Sequence, residues 1–95
     1  MNRPDELASS MGPLIARYLA VKRALGRRAD SAEYILRRLD RFLASHHVGD
    51  LTRETFTAWC QSMEPLAPST RRARLRTVYH LCLFRRRDDP RSFVP

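Results

Sequence analysis

Apolar side chains recur along this chain at helical spacing, in four groups separated by glycine, proline and short polar breaks. Met11, Leu14, Ile15, Tyr18, Leu19, Val21 and Leu25 predict the core side of a helix over about 10–25, starting near Ser10. Pro13 is tolerated in its first turn and Gly26 supplies the stop. A second helix follows over about 31–45, with Ile35, Leu36, Leu39, Phe42 and Leu43 facing inward, and Asp30 and Glu33 have the spacing of a capping box. The run from His46 to Asp50 reads as a loop, with Gly49 for the turn. Thr52 is placed to cap a third helix over 53–63, where Glu54 suits the first turn and Phe56, Trp59, Cys60 and Met63 form the apolar side. At that spacing Trp59 reads as a core residue and not as a base-stacking platform. After the rigid stretch from Glu64 to Pro68, Ser69 is the expected N-cap of a fourth helix over about 70–87. Leu75, Val78, Tyr79 and Cys82 fall at i, i+3, i+4 and i+7 on its packing side, and Asp88, Asp89 and Pro90 end it.

Ninety-five residues allow one small core. The expectation is an all-α protein: a compact four-helix bundle over 10–89, preceded by a disordered lead-in over 1–9 and followed by an extended tail over 90–95.

Charge changes this picture. The formal net charge is +8, and of eighteen basic residues all but Lys22 are arginine, the better side chain for bidentate contact with phosphate or guanine. Arg71, Arg72, Arg74 and Arg76 crowd the first two turns of the fourth helix, at the positive end of its dipole, where each cation costs roughly 0.3 to 1 kcal/mol. No acidic residue between Pro65 and Arg87 offsets them, so an external polyanion explains them better than stability does. Arg72, Arg76, His80, Leu83 and Arg87 form a strip beside the packing face. Tyr34, Arg37, Arg38 and Arg41, again at i, i+3, i+4 and i+7, form a second cationic stripe on the free side of the second helix. Glu33 and Asp40 lie off that stripe, with Asp40 free to pair with a neighbouring arginine. Arg27 and Arg28 make a short basic turn ahead of it, while Lys22 and Arg23 read as solvated.

Much else is excluded. Cys60 and Cys82 fit buried, reduced thiols, and His46, His47 and His80 show no zinc-ligand spacing, so no metal and no cofactor is expected. No apolar run is long enough to span a membrane and no signal segment follows the start, which makes a cytoplasmic protein the default. Phosphate loops, catalytic triads, supported carboxylate pairs and internal repeats are all lacking, so neither catalysis nor a small-molecule substrate is expected.

With four helices of these lengths, the sequence resembles the N-terminal core-binding (SAM-like) domain of tyrosine recombinases and phage-type integrases. The resemblance runs from about Leu14 to Pro95. It rests on the stretches Leu14–Gly26, Leu36–Leu43, Leu51–Phe56 and Ser69–Val78 in that order, with Phe93–Pro95 resembling the linker to a catalytic domain. It implies half of a clamp on duplex DNA in which the second and fourth helices cross at the major groove, with other recombinase protomers as further partners. It also implies that this chain does not cut DNA, because in that family the tyrosine nucleophile lies in the C-terminal domain, and Tyr18, Tyr34 and Tyr79 match none of that motif. On this reading the DNA-binding residues are Arg27, Arg28, Tyr34, Arg37, Arg38, Arg41, Ser69, Thr70, Arg71, Arg72, Arg74 and Arg76, and about six neutralised phosphates give a salt slope near −5. Two alternatives stay open. One is a protein-interaction module, favoured if Phe93, Val94, Leu83 and Phe84 form one patch. The other is an RNA-binding domain, disfavoured because most aromatics lie on core faces.

Overall fold

The most amphipathic stretch of the chain, Asp30–Ser45, is also the element on which the others pack. In a computed structural model describing residues 7–46 and 50–95, four α-helices are present: α1 (Gly12–Ala24), α2 (Asp30–Ser45), α3 (Arg53–Ser62) and α4 (Pro68–Arg86). There is no strand among the described residues. α2 touches α1, α3 and α4, and α1 also packs on α4. The inward residues of α2 account for this: Leu36, Leu39 and Leu43 are sealed from solvent and Ile35 nearly so. Around them lie Ile15 and Leu19 of α1, Trp59 of α3, and Val78, Leu81 and Cys82 of α4, which together form one core. None of these helices is long and apolar enough to cross a membrane.

Helix ends follow local chemistry, with three departures from expectation. Gly26 adopts φ +76°, a conformation that side chains disfavour, and the Gly26 and Arg27 N–H groups donate back to the Arg23 and Lys22 carbonyls, closing α1. Thr52 caps α3 as expected, in a capping box whose return bond runs from the Thr52 N–H to the Thr55 hydroxyl. Glu54 follows, its carboxyl held below the usual range by its own backbone N–H and the Thr52 hydroxyl. The first departure is at α4: the N-cap is Ala67 and not Ser69, because the helix begins two residues earlier than expected, at Pro68, whose fixed φ and missing N–H suit a first helical position. The second is at α2, which starts at Asp30 behind Ala29 without a side-chain cap. Glu33 is drawn away from a capping role by Arg23 and Arg37. The third is α1, whose first helical residue is Gly12 and not Ser10. The loop turn assigned to Gly49 lies outside the described residues.

Burial also revises the apolar faces. Val21 and Leu25 are 38% and 69% exposed, and Tyr79 turns outward, while Leu81 is sealed in the core. α4 is gripped by both α1 and α2, so its buried arc centres on Val78, Leu81 and Cys82 and stops short of Tyr79.

Both termini of the described chain are tied to this core. Of the predicted lead-in, Leu7, Ala8 and Ser9 are ordered against α2, where Asp40, 2% exposed, accepts from the Ala8 and Ser9 N–H groups at 2.7 and 2.9 Å and from the Ser9 hydroxyl at 2.6 Å. Asp40 thus binds two backbone N–H groups and a hydroxyl, and not a neighbouring arginine. Gly12 makes the close approach feasible, since a Cβ there would stand 3.0 Å from that of Leu7. Residues 1–6 of that lead-in lie outside the described residues. At the other end the tail does not run free: the Ser92 N–H bonds the Asp89 carbonyl, and the Phe93 ring packs 5.7 Å from that of Phe56. Arg85 and Asp50 form a two-pronged ion pair, 2.8 and 3.0 Å, that fastens the end of α4 to the entry of α3.

Candidate nucleic-acid interface

The two cationic stripes are brought together by one tyrosine. Tyr34, on the outer side of α2 and 56% exposed, has the Arg38 guanidinium 5.6 Å from its ring centre and Arg74 of α4 5.9 Å from it. A ring face attracts cations, so Tyr34 holds together two like charges that would otherwise separate. Below this stack, Arg38, Arg41 and Arg74 line a groove of about 380 Å³ whose polar lining is completed by Ser45 and Ser62 and which contains no carboxylate. None of these three arginines forms an ion pair with any described residue. The groove therefore concentrates uncompensated positive charge.

A shallower depression lies on the other side of Tyr34, where the first turns of α2 and α4 meet. Ser69, Thr70, Ala73 and Arg74 line it from α4, and Asp30, Ser31, Tyr34 and Ile35 from α2. Ser69 and Thr70 sit in the first turn of α4, where backbone N–H groups have no partner within the helix and suit an anion. Asp30 opposes that, since its carboxylate faces the same space. The arginine-lined groove is consequently the more favourable seat for phosphate.

The remaining sequence-predicted residues divide. Arg37 belongs to the α2 stripe by periodicity, but its Nε bonds Glu33 Oε2 at 3.0 Å. Glu33 also takes Arg23 from the end of α1, and these two guanidiniums, Arg23 foremost, hold its carboxyl below the usual range. Arg23, expected to be solvated, is thus a structural clasp. Arg71 and Arg74, three apart, share one side of α4 and are half-buried. Arg72 and Arg76, four apart, share another and are exposed. Arg76 and Arg27 line a separate groove between α1 and α4, and Arg28 is exposed in the turn before α2. The four arginines of α4 thus do not form one cluster.

Sequence reasoning missed the Arg38–Tyr34–Arg74 stack, which joins residues forty positions apart in the chain and leaves no local trace. It had Arg76, His80, Leu83 and Arg87 on one strip, and the structure places all four on the groove that Lys22, read as solvated, also lines. For Asp40 a signal was present: it falls four residues after Leu36 and three before Leu43, both core positions, where a carboxylate needs a buried partner. Among the described residues no cluster of three or more histidine, cysteine or acidic side chains is arranged to hold a metal ion. No protein-family model, curated protein or solved structure matches this chain.

Proposed function

We propose that this chain binds duplex DNA through the face shared by α2 and α4, in the manner of the core-binding half of a tyrosine recombinase or integrase, and that its role is binding and not strand cleavage. The observation that carries this is the Tyr34 ring flanked by Arg38 and Arg74, above a groove lined by three unpaired arginines and no carboxylate. Sequence resemblance supports the same two helices. A duplex offers a row of phosphates that such a groove can follow, with Arg71 and Arg72 near the start of α4 as further contacts. Arg37 is discounted because Glu33 holds it, and Arg27 and Arg76 because they line the other groove. Arg38, Arg41, Arg71, Arg72 and Arg74 remain. Five neutralised phosphates give a slope of log K against log salt of about −4.5.

Fluorescence anisotropy against a 30-base-pair duplex, its single strand and heparin, each across a salt series, tests the proposal. Preference for the duplex, with that slope and with loss of binding in the Arg38→Glu, Arg74→Glu double variant, is the expected result. Equal affinity for all three polyanions, or unchanged duplex binding by the double variant, overturns it.

A further inference from the structure

A second groove, of about 550 Å³, runs between α1 and the C-terminal half of α4 and shares no lining residue with the two beside Tyr34. Its floor is aromatic: Tyr18 and Phe84 meet edge to face with centroids 5.3 Å apart. Aliphatic side chains stand in it open to solvent, Leu25 at 69% exposure and Val21 and Leu83 at 38% each. Around them lie Lys22, Arg27, Arg76 and Arg87, and no carboxylate lines the groove.

This combination fits neither a solvated basic face nor a phosphate track. A solvated face gains nothing from bare leucines, and a duplex backbone would engage the cations but leave the aliphatic side chains uncovered. Phe93 and Val94, which a single apolar patch would have included, lie elsewhere, Phe93 against Phe56 and Val94 against the core. The apolar surface of this groove is therefore self-contained. We infer that the α1–α4 groove docks an acidic amphipathic helix from a protein partner. Such a helix places apolar side chains at i, i+3 or i+4, and i+7 on one face, with carboxylates flanking them, matching an apolar floor inside a cationic rim. From Arg76 to Arg87 the groove side of α4 extends about 16 Å, which accommodates three turns of a partner helix. A volume of this size is in the range of sites that enclose a few side chains. The inference is independent of DNA binding through Tyr34 and its neighbours.

The test pans the whole protein against a displayed library of 16-residue peptides, with the Leu25→Ser variant as counter-target. Leu25 is exposed enough that the variant keeps its fold, which circular dichroism checks. Enrichment of acidic sequences carrying the three-anchor helical pattern is expected. So are amide shifts on titration of the best peptide into 15N-labelled protein that centre on Val21, Leu25, Thr77 and Leu83, and at least tenfold weaker binding by Arg76→Glu. Arg38→Glu should leave peptide affinity unchanged. Peptides enriched for acidity alone, shifts centred away from α1 and α4, or no enrichment over the Leu25→Ser variant overturns the inference. Displacement of the peptide by duplex DNA, together with loss of duplex affinity in Arg76→Glu, also overturns it and returns the groove to the nucleic-acid face.

Discussion

The guanidinium of Arg74 in α4 lies 5.9 Å from the ring centre of Tyr34 in α2, and this contact makes one surface of two helices. Removing the ring lets Arg38 and Arg74 separate. Tyr34→Ala should therefore weaken duplex binding about two- to fivefold, corresponding to the roughly 0.5–1 kcal/mol of an exposed cation–π contact, while Tyr34→Phe keeps most of the affinity. Anisotropy titration of both variants decides it, and equal weakening by Tyr34→Phe would point to the hydroxyl and away from the ring face.

Glu33 bonds Arg37 within α2 and pairs with Arg23 at the end of α1. Glu33→Gln should loosen this tie between the end of α1 and α2. The lost bridge from Arg23 to Arg37 involves partly exposed groups, so stability falls by no more than about 1 kcal/mol. Because the folded-state pKa of Glu33 is depressed, its contribution is present above the unfolded carboxyl value near 4.3 and disappears as pH falls through the lower folded value. Urea unfolding of wild type and Glu33→Gln should accordingly differ at pH 7 and converge toward pH 3.

Asp40 accepts three hydrogen bonds from Ala8 and Ser9 in a nearly sealed position. Asp40→Ala should cost about 2 kcal/mol, in the range for bonds to a charged group, and expose the chain before α1 to protease. Asp40→Asn, which keeps an acceptor, should cost less. Equal unfolding midpoints in urea for Asp40→Ala and wild type would mean that the segment is not held by this carboxylate.

Cys82 is sealed between helices, and burial pushes its thiol up to about 11; Cys60 is raised as well but half-exposed. With a thiol reagent at pH 8 Cys60 should react slowly and Cys82 only on unfolding. The unfolded thiol ionises near pH 8.5. The Cys82 contribution to stability is therefore complete below that pH and is lost as pH rises toward 11. Cys82→Ala should flatten this alkaline decline, as read from urea midpoints between pH 8 and 10.5.

Much of the fold was legible because it is set locally. Four helices follow from a 3.6-residue period, the inward face of α2 from five apolar residues at that period, the end of α1 from a glycine that accepts φ +76°, and the start of α3 from the Thr52 hydroxyl. Each needs only neighbours within about one or two turns. The start of α4 was misplaced by two residues because Pro68 and Ser69 both suit a helix beginning, and the choice between them is a small local difference.

What only the tertiary structure decided is which side chains meet across the chain. Periodicity put Arg37 with Arg38 and Arg41, but the crossing of α1 over α2 delivered Arg23 to Glu33, which then holds Arg37 as well. The sequence grouped Arg71, Arg72, Arg74 and Arg76 as one set facing DNA, but the packing of α4 between α1 and α2 sent Arg74 toward Tyr34 and Arg76 toward Leu25 and Leu83. That same packing buried Leu81 and exposed Tyr79, and the fold brought Ser9 to Asp40 across 31 residues. The physical reason is one of range: a helical period says which residues share a side, whereas the partner facing that side depends on how rigid helices cross, and that is fixed by the summed burial of the whole core.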